Sequence, residues 1–195
     1  MKVVILAAGE GVRMRPLTLT TPKPLLKVAG KTLLDHIFEV LPSDVEEAII
    51  VVRYLREQIK AYCGSRFHGK WIRYAEGSEK GTAYSFLSAQ PFVGKERFLC
   101  MYGDELPDKG GVSACLEHHA SILCFTVKDP WNHGVVTLRQ DSFIAAIEEK
   151  PREPKTDLIS DGVMVLNERI FTCPPVADLR GEFYLTNMLN QFVKK

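Results

Sequence analysis

A glycine loop followed by several cations near the start of the chain is suited to holding phosphate groups. The loop, Gly9-Glu10-Gly11, follows residues 3–6, an apolar run with the length and composition of a buried strand. Backbone can approach a ligand closely at such small residues, and phosphate oxygens need backbone N–H groups and fixed cations. The basic residues that follow the loop are Arg13, Arg15, Lys23 and Lys27. The stretch therefore predicts a polyphosphate site.

The spacing of the two glycines matches neither of the common phosphate-binding motifs. Walker A has four residues between its glycines and a Lys-Ser/Thr ending, which Gly9 and Gly11 do not supply. The dinucleotide fingerprint needs a third glycine three residues after Gly11, where Met14 stands. A pair of glycines alone is weak evidence, so the interpretation depends on the longer pattern around it.

A second candidate, Gly103-Asp104, directly follows another apolar run, residues 98–102. In proteins Mg²⁺ commonly takes one or two carboxylates together with phosphate oxygens, so Asp104 is placed to hold the metal against a nucleotide. An aspartate in an ordinary turn is the structural alternative, and the local sequence favours neither.

Apolar and amphipathic stretches alternate along the chain, as strands and helices do in an α/β fold. The predicted strands are residues 3–6, 48–52, 71–74, 98–102, 122–127, 135–138, 143–147 and 162–166. The predicted helices are residues 32–41, 55–62, 82–90 and 185–192. This order predicts a layered fold with a mostly parallel sheet, in which ligands bind beyond the carboxyl ends of the strands. Both Gly9 and Asp104 would lie at that edge.

The bulk properties indicate an ordinary globular protein. A length of 195 residues suits one domain, residues 1–195, and the apolar content of 46% and charged content of 25% are typical. The net charge of +1 gives no reason to expect nucleic acid or a membrane as a partner. The five cysteines are widely spaced and no signal peptide precedes the first strand, so we expect a cytoplasmic protein with reduced thiols.

The extended pattern around the glycine loop resembles that of a known enzyme family. The pattern G-x-G-x-R-x-x-P-L-T at residues 9–18, followed by P-K at residues 22–23, is similar to the loop of the sugar-1-phosphate nucleotidyltransferases. Those enzymes join an NTP to a sugar 1-phosphate and release pyrophosphate. The resemblance implies a three-layer Rossmann-like fold with a mixed, mostly parallel central sheet, of the nucleotide-diphospho-sugar transferase type. It also implies a Mg²⁺-dependent enzyme that makes NDP-sugars for cell-surface polysaccharides or glycans.

The resemblance assigns roles on the nucleotide side. Arg13 would hold the departing pyrophosphate, Lys23 would lie near the α-phosphate, and Asp104 would carry the metal. The segment K-G-T-A at residues 80–83 is similar to the family's Gly-Thr-Ala beside the nucleotide, with an ordinary helix N-cap as the structural alternative. Tyr84 departs from the small residue usual there. The implied nucleotide contacts are Leu6, Ala7, Ala8, Gly9, Gly11, Glu76, Gly81 and Thr82.

Three later segments resemble the family's sugar-phosphate site. The E-K-P at residues 149–151 is similar to a motif whose lysine holds the phosphate and whose glutamate binds sugar hydroxyls. The H-G-V-V at residues 133–136 is similar to an aromatic-Gly-Val-Val beside the sugar, and D-G at residues 161–162 continues the match. From the residues alone, the acidic pair at 148–149 is more commonly a solvated strand end. The implied sugar-phosphate contacts are Gly134, Glu149, Lys150 and Asp161.

The last motif contains the main departure from the family. The E-F-Y-L-T-N at residues 182–187 is similar to a motif that ends in Asp, the second metal ligand. The resemblance therefore makes Asp104 and Asn187 the Mg²⁺ ligands. An amide oxygen can coordinate Mg²⁺ but brings no charge, and Glu182 is the alternative ligand.

Three functions stay open at the level of sequence. The main interpretation is nucleotidyl transfer from GTP, UTP or dTTP to a sugar 1-phosphate, and a homo-oligomer is compatible with it. Glu76 would suit the donors of guanine, but neither the base nor the sugar is identified. The second is a non-catalytic regulatory homologue that binds sugar nucleotide, which Asn187 supports. The third is a cytidylyltransferase for a non-sugar phosphate, which shares the N-terminal loop but is disfavoured by the E-K-P match.

Overall fold

The computed structural model of the protein describes residues 1–178 and 181–194. The strands are β1 (Lys2–Ala7), β2 (Lys27–Val28), β3 (Lys31–Thr32), β4 (Glu47–Val52), β5 (Arg66–Phe67), β6 (Lys70–Glu76), β7 (Phe98–Tyr102), β8 (Ser121–Thr126), β9 (Gly134–Leu138), β10 (Ile144–Glu149) and β11 (Leu158–Leu166). The helices are α1 (Leu33–Val40), α2 (Arg56–Cys63), α3 (Thr82–Leu87), α4 (Gln90–Val93), α5 (Lys109–Leu116) and α6 (Leu185–Phe192).

Within the described residues, nine strands form one sheet, in the order β10-β9-β11-β7-β1-β4-β6-β5 with β8 paired to β11. The central strands β7, β1, β4 and β6 run parallel, and antiparallel strands extend the sheet on both sides. The predicted Rossmann-like α/β fold, with a mixed and mostly parallel central sheet, is confirmed. The remaining two strands, β2 and β3, form a small separate hairpin.

Alternate residues of β1 enter two separate cores, and this produces three layers. Val4 and Leu6 pack on the side covered by α3 and α6, whereas Val3 and Ile5 pack on the side covered by α1 and α2. All four are buried, as expected for a strand with helices on both faces. The parallel strands are therefore held rigidly, and their carboxyl ends place the following loops along one edge of the sheet.

Several element boundaries differ from the prediction. The single helix predicted at 82–90 is two helices, α3 and α4, and α5 was not predicted because Gly110 and Gly111 weaken its helical pattern. The strand predicted at 162–166 begins four residues earlier, at Leu158. In the described chain, no helix has the length and apolar character needed to cross a membrane.

Candidate active site

A cavity of about 790 Å³ opens at the carboxyl edge of the parallel strands. The ends of β1 and β7 form its floor, and the loops that follow β1, β4 and β6 form one wall. Strands β9, β10 and β11, together with the start of α6, form the other wall. This is the position in which open α/β sheets bind ligands.

In the structure the two glycines belong to a longer segment, residues 8–25, which is called the glycine loop from here on and is folded around a buried threonine. Thr18 is fully buried, and its hydroxyl donates to the carbonyl of Gly11 at 2.8 Å. Gly11 has φ 63°, and a Cβ there would lie 3.0 Å from the Thr18 methyl group and 3.3 Å from Lys23 Cβ. Any other residue at this turn would be strained and would press on the Thr18 methyl group, so glycine is favoured. The fold of the loop leaves Arg13 exposed at the rim and brings Lys23 into the cavity.

Lys23 and Asp104, which are 81 residues apart in sequence, form an ion pair in the cavity. Lys23 Nζ lies 2.5 Å from Asp104 Oδ2. Asp104 reaches this point because Gly103 packs directly against β1, donating its N–H to the Leu6 carbonyl at 2.9 Å. Lys23 begins a short 3₁₀ turn, Lys23–Leu25, whose Pro24 is buried. The predicted convergence of the glycine loop and the aspartate is thus present.

The donor set at Asp104 suits a cation that is shared with a ligand. Its carboxylate already binds one cationic group, the Lys23 ammonium, and its side chain is 40% exposed. Over residues 1–178 and 181–194, no group of three or more His, Cys, Asp or Glu residues is arranged to hold a metal ion alone. A Mg²⁺ ion at Asp104 would need further oxygen ligands, which phosphates provide.

Three of the four sugar-phosphate residues predicted from sequence, Gly134, Glu149 and Lys150, are brought together beside α6. Thr186 donates its hydroxyl to Glu149 Oε2 at 2.6 Å, and Lys150 Nζ lies 3.4 Å from Glu149 Oε1. The Lys150 ammonium also lies 4.8 Å from the centre of the Tyr184 ring, a cation–π distance. Gly134 allows this close packing, because a Cβ there would lie 2.7 Å from Ser160 Oγ.

Two carboxyl groups, those of Glu105 and Asp161, lie close together next to these residues. Glu105 Oε2 and Asp161 Oδ1 both accept the N–H of Gly162, at 2.7 and 2.8 Å. Burial and the hydrogen bond to Asp161 raise the pKa of Glu105 well above its usual value. The two carboxyl groups lie close enough that ionisation of one opposes ionisation of the other. Glu105 lines the cavity, and a side chain at Gly162 would collide with it.

The predicted nucleotide residues at the start of α3 have a structural role as well. Gly81 has φ 116°, and a Cβ there would collide with the Phe183 carbonyl, which also accepts the N–H of Ala83 at 2.9 Å. Thr82 Oγ1 accepts the N–H of Leu185 at 2.9 Å. Thr82 therefore joins α3 to α6 instead of capping its own helix, and both Gly81 and Thr82 line the cavity.

Most of the predicted site residues line one cavity. They are Leu6, Ala7, Ala8, Gly9, Gly11, Arg13, Lys23, Gly81, Thr82, Asp104, Gly134, Glu149 and Lys150. As far as the described residues show, three predicted residues are outside its lining: Glu76, Asp161 and Asn187. Glu76 is exposed and pairs with Arg56, and Asp161 is turned to Gly162 and Glu105.

The placement of Asn187 gives no support to its predicted role as a metal ligand. Its amide nitrogen donates to the Val176 carbonyl at 3.0 Å. Glu182, the alternative ligand, is exposed, and its backbone N–H donates to Asp178 at 2.9 Å. The α6 residue whose side chain does reach the cavity is Thr186.

The lining also contains residues that were not singled out from sequence as site residues, among them Arg53, Glu105, Ser160, Tyr184 and Thr186. Arg53 had a detectable signal, because it directly follows an apolar run in the same way as the Gly103-Asp104 pair does. The other four depend on antiparallel strand pairing or on helix packing, which no local pattern reveals.

Comparison with known proteins is consistent with this geometry. A family model described as nucleotidyl transferase matches residues 2–189. The chain is 34% identical over 197 residues to the bifunctional protein GlmU of Methanocaldococcus jannaschii, covering all of this chain and 47% of the relative. It is 31% identical over 205 residues to the UTP–glucose-1-phosphate uridylyltransferase AglF of Haloferax volcanii, covering all of this chain and 84% of the relative.

Solved structures give the same result. A protein from Bacillus anthracis assigned as a glucose-1-phosphate thymidylyltransferase, crystallised with sucrose, superposes with a TM-score of 0.86 at 27% identity. The match covers all of this chain and 83% of that structure. The chain spans about half the length of the GlmU relatives it matches.

Proposed function

This chain belongs to the nucleotidyl transferase family, and on that premise we propose that it transfers a nucleotidyl group from an NTP to a sugar 1-phosphate. The products are an NDP-sugar, used for cell-surface polysaccharides or glycans, and pyrophosphate. The observation that supports this most is that one cavity contains both the glycine loop with Lys23 and the Glu149-Lys150 pair. Such a cavity offers separate cationic groups to two phosphorylated substrates.

The reaction needs positioning and charge neutralisation more than proton transfer. A phosphate oxygen of the sugar 1-phosphate attacks the α-phosphorus in line, and the bond to the bridging oxygen of the pyrophosphate breaks. The nucleophile is already anionic, so no general base is required. Lys23 neutralises the α-phosphate, Arg13 receives the leaving pyrophosphate at the rim, and Lys150 orients the sugar phosphate.

Asp104 is the residue that would hold Mg²⁺. The bound metal supplies positive charge to phosphate oxygens at the reacting centre. The ion pair with Lys23 supports this assignment, because it shows that the carboxylate accepts a cation inside the cavity. Asn187 is not retained as a second ligand, since its amide contacts Val176 and other residues form the lining.

The proposed partners are small molecules. The names of the uridylyltransferase and thymidylyltransferase relatives favour UTP or dTTP as the nucleotide and glucose 1-phosphate as the sugar. GTP, which was considered because of Glu76, loses that support because Glu76 lies outside the cavity lining. We further propose that residues 1–195 act as one domain and that the reaction takes place in the cytoplasm, where NTPs are supplied. The regulatory alternative, which Asn187 supported, is disfavoured because the relatives carry the names of transferring enzymes.

The test is a measurement of pyrophosphate release with Mg²⁺. UTP, dTTP and GTP are each combined with glucose 1-phosphate and with a panel of other sugar 1-phosphates, and each substrate is also tested alone. We expect release only when both substrates are present, together with an equal amount of NDP-sugar. Release with CTP and phosphocholine, but with no sugar phosphate, would instead select the cytidylyltransferase interpretation.

A further inference from the structure

Arg53 lies at the end of the strand between the two loops that face the nucleotide side of the cavity. Strand β4 pairs with β1 on one side and with β6 on the other, and Val52 is level with both Ala7 and Glu76. The next residue, Arg53, therefore lies between the glycine loop, which begins at Ala8, and the segment that follows β6. From this position one side chain can reach both loops.

The guanidinium of Arg53 joins the two loops. Its Nη2 donates to Glu10 Oε1 at 3.0 Å, and its Nη1 donates to Glu79 Oε1 at 3.1 Å. Glu10 stands between Gly9 and Gly11 of the glycine loop, whereas Glu79 belongs to the segment that leads into α3. The Arg53 side chain is 22% exposed, so its bond to Glu10 is partly shielded from water and from salt, whereas the Glu79 side chain is 85% exposed.

The backbones of the same two loops are also in close contact. A Cβ at Gly77 would collide with Ala8 and would lie 3.4 Å from both Arg53 Cβ and Ser85 Oγ. Ser85 in turn accepts the N–H of Ser78 at 3.0 Å. The two loops therefore meet beside the Arg53 stem, and the guanidinium holds their outer parts together.

We propose that Arg53 is a positioning residue that sets the width of the nucleotide side of the cavity and thereby contributes to the choice of NTP. It acts through Glu10 and Glu79, because its two terminal nitrogens are engaged by carboxylates and its Nε is buried with no hydrogen-bond partner in the part of the chain that the structure describes. This inference rests on the proposed function, since it concerns the NTP of that reaction.

Arg56 is a matched control within the same region. It follows Arg53 by three residues and also binds two carboxylates, those of Glu57 and Glu76. Its side chain is 45% exposed, and it is not one of the residues that line the cavity along the described chain. Removal of Arg56 takes away a surface cation of the same kind without releasing the glycine loop.

The first experiment measures equilibrium binding of UTP, dTTP, GTP and CTP, and of glucose 1-phosphate, to four proteins: wild type, Arg53→Ala, Arg53→Lys and Arg56→Ala. We expect Arg53→Ala to weaken binding of the preferred NTP about tenfold, as for loss of one partly shielded charged hydrogen bond, and to make the affinities for the four NTPs more alike. Glucose 1-phosphate should bind as before. Arg53→Lys should recover part of the loss, because an ammonium group can hold one of the two carboxylates.

The second experiment measures trypsin cleavage after Arg13 in the absence of ligand. If Arg53 holds the glycine loop, Arg53→Ala should be cleaved there faster than wild type and Arg56→Ala should not. Equal cleavage rates, or NTP affinities in Arg53→Ala equal to those in Arg56→Ala, would overturn the inference. A protein that binds NTP but forms no NDP-sugar would overturn the proposed function alone, and the binding and cleavage results would still decide the role of Arg53.

Discussion

The two walls of the cavity are built in different ways. The loop half, defined as the glycine loop together with Asp104, presents cations at or near the surface, and Arg13 is exposed. The strand half is defined as Gly134, Glu149, Lys150, Tyr184 and Thr186. These residues lie at the ends of β9, β10 and α6, and the side chains of the last four already contact one another.

This difference predicts different kinetic roles for the two halves. Side chains in the strand half are held in place before a ligand arrives, which limits the ordering cost of binding. In the loop half, the Lys23 ammonium is bound by the Asp104 carboxylate, and we expect its contacts to change when a phosphate and Mg²⁺ enter the cavity. We therefore expect changes in the loop half to reduce kcat and changes in the strand half to raise the KM of the sugar 1-phosphate.

The largest effect is expected at Asp104. Asp104→Asn removes the charge that would hold Mg²⁺ and should lower kcat by about 10³-fold, with partial recovery at high Mg²⁺. The measurement is pyrophosphate release as a function of Mg²⁺ concentration, with Asp44→Asn, an exposed carboxylate before β4, as control. Wild-type rates in Asp104→Asn at low Mg²⁺ would contradict the assignment of the metal site to Asp104.

The second effect is expected at Arg13, in the same half. Arg13→Ala removes a fixed cation from the leaving pyrophosphate, and loss of one such group costs on the order of 10² to 10³ in kcat. Lys27→Ala is the control, because Lys27 is an exposed cation that follows the glycine loop and is not among the described residues that line the cavity. Steady-state kinetics should show an unchanged KM for the sugar 1-phosphate in both variants. A rise in that KM with Arg13→Ala would contradict the assignment of sugar-phosphate binding to the strand half alone.

A smaller effect of another kind is expected in the strand half. Lys150→Ala removes a charged hydrogen bond to the sugar phosphate, and the KM for sugar 1-phosphate should rise about tenfold with the KM for NTP unchanged. The exposed Lys155 provides the control variant, Lys155→Ala. If Lys150→Ala altered the NTP KM instead, the assignments of the two walls would have to be exchanged.

The smallest effect is expected at Asn187. Its amide contacts Val176 and not the cavity, so Asn187→Asp should leave the Mg²⁺ concentration for half-maximal rate unchanged within the error of the titration. A clear fall in that Mg²⁺ concentration would show that residue 187 contacts the metal, so that the metal site would include a residue of α6.

The same contrast explains what the sequence could predict. The loop half follows from local rules, since glycine, aspartate and lysine stand directly after apolar strands or within one short segment. The α/β fold was predictable for the same reason, from the alternation of buried strands with amphipathic helices. Arg53 also stands directly after an apolar strand, but it was not predicted because it belonged to no recognised motif.

The strand half could be predicted only through family resemblance, and its details were missed. Successive residues of a helix point about 100° apart, so Thr186 reaches the cavity and Asn187 does not. Glu76 is the last residue of β6 and pairs outward with Arg56, whereas Glu79 stands in the loop and lines the cavity. Which of two nearby residues reaches the cavity depends on how elements distant in sequence pack and pair, and a local sequence pattern does not contain that information.

The most direct test of the account is hydrogen–deuterium exchange of the wild-type protein with each ligand alone. With Mg²⁺ and the preferred NTP, we expect slower exchange of backbone amides in residues 9–13 and 78–83. With glucose 1-phosphate, we expect slower exchange in residues 133–136 and 149–150, and little change in residues 9–13. Protection of the same segment by both ligands, or protection of residues 9–13 by the sugar phosphate alone, would contradict the division of the cavity into a nucleotide half and a sugar-phosphate half.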